Sequence, residues 1–344
     1  MSTKKMLVLI GVLIMGAVVF TACAGPAGPQ GPAGPAGPAG PAGPAGEAAV
    51  MSASDLSCTE CHNDTTLITG KEAAWSESVH GSGEAFVRGT SNSCAGCHSG
   101  GGFSAMVAAG QNPGEVEAGD PNPTRQDCRA CHQIHTTYTT DDWALETTDP
   151  IDLAFVEGAS YDGGKGNLCA NCHQPRRAFP EAENGMITGI SSHWGPHHGP
   201  QSAMLLGVAG AGAEGSPSAH YSMVEDTCVS CHLGENASHT FEPDIAVCQG
   251  CHSGAENFDI NGVQTSVQAQ LDQLGEALVA ENVLSDITAD GHPTVTEAPE
   301  NVATALYNWI YIAHEDKSLG VHNSAYTQAL LDASFEALGI TPAE

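Results

Sequence analysis

Positive charge is what this chain of 344 residues has least of: ten Lys plus Arg stand against 40 Asp plus Glu, a formal net charge of −30. So acidic a surface repels nucleic-acid phosphate and anionic lipid, and excludes both as partners held by charge. It suits solubility, and it suits encounters with basic proteins or metal cations. Long apolar runs are scarce as well. The only extended one, residues 6–20, is shorter than the roughly 20 apolar residues that cross a bilayer. Stray cysteine is all but missing. Twelve of 13 Cys belong to one repeated motif, and Cys23 alone lies outside it.

That motif is Cys-x-x-Cys-His. It reads CTECH at 58–62, CAGCH at 94–98, CRACH at 128–132, CANCH at 169–173, CVSCH at 228–232 and CQGCH at 248–252. Composition alone expects about 0.02 copies, and six are present. Cys-x-x-Cys-His is the attachment sequence of c-type haem. The two thiols bond the vinyl groups as thioethers, and the next imidazole ligates the iron. Zinc sites use paired thiols or spaced His, with no need for His directly after the second Cys. A disulfide framework has no need of that His either. The spacing therefore predicts six covalent haems. Their anchors are Cys58 and Cys61, Cys94 and Cys97, Cys128 and Cys131, Cys169 and Cys172, Cys228 and Cys231, and Cys248 and Cys251. Their proximal ligands are His62, His98, His132, His173, His232 and His252.

The setting of Cys23 explains the thirteenth thiol. Lys4 and Lys5 form a basic start, an apolar stretch follows, and Thr21 and Ala22 are small residues before Cys23. This order resembles a bacterial lipoprotein signal, with residues 1–22 removed and lipid attached to Cys23. A plain signal peptide or an uncleaved anchor are the alternatives. The absence of Asp at Ala24 and Gly25 resembles sorting to the outer membrane. The chain is thus expected outside the cytoplasm, at the periplasm or the outer membrane and cell surface, where c-type haem is attached. From residue 25 to 48 the chain repeats Gly-Pro-Ala, with Gly at every third position. That is the collagen period. Residues 23–48 read as a lipidated Cys plus a stiff single-chain spacer, in preference to a triple helix that would make a trimer.

Residues 49–260 form the expected hexahaem domain. Gly is abundant and turn signals crowd it, such as Asn112-Pro113-Gly114 and Asp162-Gly163-Gly164. The expected fold class is mainly α with extensive loops, short helices wrapped on six haems, and little strand. Residues 261–344 differ and read as a C-terminal helical cap. One helical face takes Val267, Leu271, Leu274 and Leu278; another takes Val302, Leu306, Trp309 and Ile310. A third takes Tyr326, Leu330, Ala333 and Ala337, with Leu331 and Phe335 beside it.

The second iron ligand sets the chemistry. Ten His remain: His80, His135, His193, His197, His198, His220, His239, His292, His314 and His322. Six bis-histidine haems need six of them. Local context selects His80, which follows Trp75 and Ser78 and precedes Gly81. It selects His135, three residues after His132 and so aimed at a neighbouring haem. His220 and His239 each precede a motif, and SSHWGPHHGP at 191–200 offers His193, His197 and His198. His292, in the loop DGHPT, has no ligand-like context, and His314 is the reserve for His322.

These motifs and two segments resemble the multihaem c-type cytochromes that include the pentahaem nitrite reductases, hydroxylamine oxidoreductase-like proteins and octahaem reductases. The stretch from Ala303 through EDKSLGVHNSAY to Leu331 resembles the helix start that supplies a distal His in that group, which implies His322. SSHWGPHHGPQSAMLLG resembles distal-ligand segments whose His-Gly-Pro end ligates, which implies His198, with His197 and His193 next. The nitrite reductases carry one Cys-x-x-Cys-Lys, and here every motif ends in His. Nothing marks the tyrosine crosslink of hydroxylamine oxidoreductases. The resemblance therefore implies haem architecture rather than substrate chemistry, and no catalytic residue is assigned. The expected function is electron transfer in extracytoplasmic respiration, with redox proteins such as other multihaem cytochromes or a quinol-oxidising complex as partners. Two alternatives stand: reduction of a nitrogen or sulfur oxyanion at one open haem, and a subunit of an extracellular cytochrome filament.

Overall fold

Helices here are short wherever the described Cys-x-x-Cys-His motifs lie, and the two longest lie near the C-terminus. The computed structural model describes residues 66–197, 199–287 and 291–342. The signal-like segment, Cys23, the Gly-Pro-Ala repeat, Cys58, Cys61, His62 and His198 lie outside the described residues. In chain order come α1 (Thr66–Glu77), α2 (Val79–Ser82), α3 (Asn92–His98), α4 (Gly100–Ala108) and α5 (Cys128–Cys131). Next are strands β1 (Ile151–Asp152) and β2 (Ser160–Tyr161), then α6 (Gly166–Ala170), β3 (Met186–Thr188), α7 (Gln201–Leu206) and α8 (Ala219–Met223). Then α9 (Cys228–His232), α10 (Ile245–Gln249), α11 (Val263–Ala280), β4 (Glu297–Pro299) and α12 (Glu300–Ile310) follow. A π-helical turn, Tyr311–Asp316, and α13 (Ser324–Leu338) complete the order. The strands form two antiparallel pairs, with Ile151 opposite Tyr161 and Ile187 opposite Ala298. The fold is mainly α with extensive loops, as expected. No helix among the described residues is long and apolar enough to cross a membrane.

Each described motif closes one helical turn. The amide of His132 donates to Cys128 O at 2.8 Å, His173 to Cys169 O at 2.9 Å, and His252 to Cys248 O at 2.8 Å. In α3 and α9 the same span is helical throughout. Residues at i, i+3 and i+4 share one helical face, so both thiols and the imidazole of a motif point the same way.

The large apolar core belongs to α11, α12 and α13. Leu271, Leu274, Leu278, Leu306, Leu330 and Phe335 are buried there, together with Ile187, Trp194 and Met204 from the middle of the chain. The C-terminal helices thus share their core with residues 187–211 and form no separate layer. On α13 the buried stripe is Tyr326, Thr327, Leu330, Leu331, Ser334 and Phe335, and Ala333 and Ala337 are only half-buried. The face is rotated by about one residue from the expected one. Its cause is polar: Ser334 donates to Leu330 O at 2.6 Å and accepts from Asn308 Nδ2 at 3.1 Å. Residues 212–266, which carry the last two motifs, bury no apolar side chain.

Candidate metal-ligand pairs

Imidazole rings meet in pairs across this fold. The histidine ring of every described Cys-x-x-Cys-His motif faces a second histidine ring at nearly one distance. His173 lies 6.1 Å from His80 between ring centres, and His98 lies 6.3 Å from His197. His132 lies 6.3 Å from His239, His232 lies 6.3 Å from His322, and His252 lies 6.2 Å from His220. Interplanar angles range from 24° to 79°, so the shared feature is separation, not stacking.

Ring orientation is fixed from behind. His132 Nδ1 donates to Trp143 O at 2.7 Å and His232 Nδ1 to Phe241 O at 2.8 Å. His220 Nδ1 donates to Val321 O at 2.7 Å, and His239 Nδ1 to Ala237 O at 2.9 Å. His173 Nδ1 reaches Gln201 Oε1 at 3.0 Å, and Gln201 is itself held by Glu315 O at 3.0 Å. His322 Nδ1 bonds Asp316 Oδ1 at 2.6 Å. A proton placed on Nδ1 leaves the Nε2 lone pair for a metal, and a carbonyl or carboxylate behind the ring is the usual partner of a ligating His.

Charge follows the same logic. Burial, with the neighbouring His173, pushes His80 down to about 4, so it is neutral with its lone pair available at pH 7. Burial also lowers His239. For His322 burial opposes the proton, but the Asp316 carboxylate outweighs it and holds the ring above its ordinary value. That carboxylate arrives by way of the π-helical turn, which continues α12 beyond Ile310 and ends at Asp316. Asn323 then caps α13 through Tyr326 N at 3.1 Å and donates to Met204 O at 3.1 Å. The dipeptide Val321–His322 therefore serves two pairs, one through its carbonyl and one through its ring.

The thiols also meet. The side chains of Cys97 and Cys172 lie side by side, as do those of Cys169 and Cys228. Cys131 lies within electrostatic reach of Cys169 and Cys172, and Cys248 within reach of Cys231. In space the fourth motif is the hub: it touches the second, third and fifth, and the fifth leads to the sixth. None of the ten described Cys is in a disulfide.

Of the candidates named from sequence, His80, His220, His239 and His322 each face the histidine of a motif. His135 stacks on Tyr138 at 5.4 Å, while the five described proximal rings face other histidines. In the 191–200 run the ring opposite His98 is His197, which the sequence places next after His198, and His198 itself lies outside the described residues. His197 sits at φ 77°, between Gly195 at φ 108° and Gly199 at φ 105°. A non-glycine residue held in the left-handed region is a mark of functional sites. A Cβ on Gly199 would stand 3.1 Å from His173 Nδ1, so the same turn also fits against the fourth motif.

One pair was missed. His292, expected to be inert, lies 6.3 Å from His193. Both line a cavity of about 330 Å³ with Trp194, His197, His314 and Lys317. The two residues are far apart in sequence and lie in no shared pattern, so no sequence signal links them. Comparison with protein-family models, with curated proteins and with solved structures finds no match to this chain.

Proposed function

We propose that this chain is an electron-transfer protein, a hexahaem c-type cytochrome whose irons are held between paired imidazoles. The observation that carries the reading is the spacing of 6.1–6.3 Å in all five described pairs. A metal–imidazole bond of about 2 Å on each side, plus about 1.1 Å from nitrogen to ring centre, puts trans rings about 6.2 Å apart. Two ligands on a tetrahedral ion would stand only about 5 Å apart by the same bond length. A zinc cage also needs four converging side chains, and among the described residues no three His, Cys, Asp or Glu converge on one point.

Two further observations fit. The motif helices aim both thiols and one imidazole to one side, as thioether attachment requires. Residues 212–266 hold two motifs yet bury no apolar side chain, and porphyrin faces supply the apolar surface that side chains there do not.

Haem bound at these motifs supplies a one-electron ferric/ferrous couple. The chain's own residues set its surroundings. Two imidazoles favour the ferric state, and so does the Asp316 charge behind His322. The neighbouring side chains of Cys97 and Cys172, and of Cys169 and Cys228, bring the second, fourth and fifth motifs next to one another, so haems held there would be close enough for stepwise electron transfer. The acidic surface favours basic redox partners. The alternative, reduction of an oxyanion at an open iron, needs a proximal imidazole without a partner, and the five described pairs give it no support. Denaturing intact-mass spectrometry of protein matured in an export-competent host tests the assignment. The polypeptide should carry six haem masses; four or fewer would overturn it.

A further inference from the structure

We propose that His193 and His292 hold a seventh haem, bound without a thioether, in the cavity they line. The inference rests on the hexahaem reading and extends it to residues that no Cys-x-x-Cys-His motif includes.

Four observations carry it. The first is distance: the His193 and His292 rings stand 6.3 Å apart, the same as the pairs at the motifs. That separation fits trans ligands on one metal, and exceeds the roughly 5 Å of two ligands on a tetrahedral ion. The second is ligand number. A bare ion needs three or four protein donors, and no three converge among the described residues. A haem brings four nitrogens of its own, so two imidazoles complete it.

The third is space. The cavity of about 330 Å³ lies within the range of cofactor pockets, about 300–1,000 Å³. Ile310 contributes an apolar wall, and no Cys lines the cavity, so no thioether can form there. The fourth is polar. Trp194 is 7% exposed, and its indole N–H has no acceptor among the described residues. A buried donor of this kind calls for an acceptor, and a propionate oxygen is one. Lys317, one of only ten basic residues in the chain, also lines the cavity, as does the buried Glu315, and it offers a cation to a propionate in the presence of that carboxylate.

The loop that brings His292 is built for this placement. Gly291 has φ 70°, and a Cβ on it would lie 2.7 Å from His314 Cγ. Only glycine lets the loop lie on that ring. His197 lines the cavity and also faces His98, so the seventh site adjoins the second motif.

The test uses the mature holoprotein. Total haem is measured by the pyridine haemochrome method, and covalent haem by the same method after acid–butanone extraction. Seven haems are expected before extraction and six after it. His292→Ala should start at six and lose none, and His193→Ala should behave alike. Retention of six covalent haems shows that each variant has folded and matured; if His292→Ala does not mature, His193→Ala decides. Six haems before and after extraction in the unaltered protein would overturn the proposal. One equivalent of zinc, copper or nickel by elemental analysis, with no extractable haem, would also overturn it and assign the pair to a bare ion. A shortfall in the retained haem would instead count against the hexahaem reading, so the two failures are distinguishable.

Discussion

His322→Ala is expected to turn one low-spin haem into a high-spin haem that binds carbon monoxide when reduced, and to raise its reduction potential. The other haems should keep their spectra. His322 is the ring facing His232 at 6.3 Å, and its Nδ1 is anchored to Asp316 at 2.6 Å. Alanine removes a strong donor and the anchored dipole together. The shift should be a sizeable part of the roughly 0.8 V over which axial ligands set haem potentials. Asp316→Asn separates the two contributions. It keeps the imidazole and removes the charge behind it, so the haem should stay low-spin while its potential rises by less. Resonance Raman or absorption spectroscopy with spectroelectrochemistry reads both variants. A His322→Ala protein with an unchanged spectrum would mean that His232 takes its second ligand from elsewhere.

Loss of the fourth haem should unfold the protein, and loss of the sixth should not. In the Cys169→Ala, Cys172→Ala double variant, the hub loses its anchor. Its neighbours Asn167 and Ala170 are almost fully buried, and its thiols contact Cys97 and Cys228. The motif helix also holds two apolar clusters together, Ala170 with Tyr161 and Leu205, and Leu168 with Phe103 and Met106, so the cost approaches the about 5–15 kcal/mol by which a domain is stable at all. The sixth motif lies at the surface, with Cys251 and His252 exposed. Cys248→Ala with Cys251→Ala should therefore yield a soluble five-haem protein. Haem content and limited proteolysis compare the two. Equal protease resistance would remove the fourth motif from its central place.

Legibility from sequence divides along physical lines. The stripe Val267, Leu271, Leu274 and Leu278 was readable because packing against a helix bundle imposes a 3.6-residue period. The π-helical turn after Ile310 was not, because it depends on where Asp316 must arrive. On α13 the buried Thr327 and Ser334 are hidden from a hydropathy pattern, since their hydrogen bonds, not their apolarity, place them inside. His80, His220, His239 and His322 could be named from local context. That His197 faces His98 goes with a backbone angle of 77°, which no composition encodes. His193 and His292 meet only through tertiary structure. Residues 66–260 gave little periodicity because their short helices turn motif side chains toward one another rather than toward a common apolar core.

The most direct measurement is the spin state of the fully oxidised protein, by electron paramagnetic resonance with magnetic circular dichroism, followed by carbon monoxide addition after reduction. Bis-imidazole ligation at every motif predicts low-spin iron throughout and no carbon monoxide adduct. One equivalent of high-spin haem that binds carbon monoxide would contradict it and turn the protein from a carrier into a reductase.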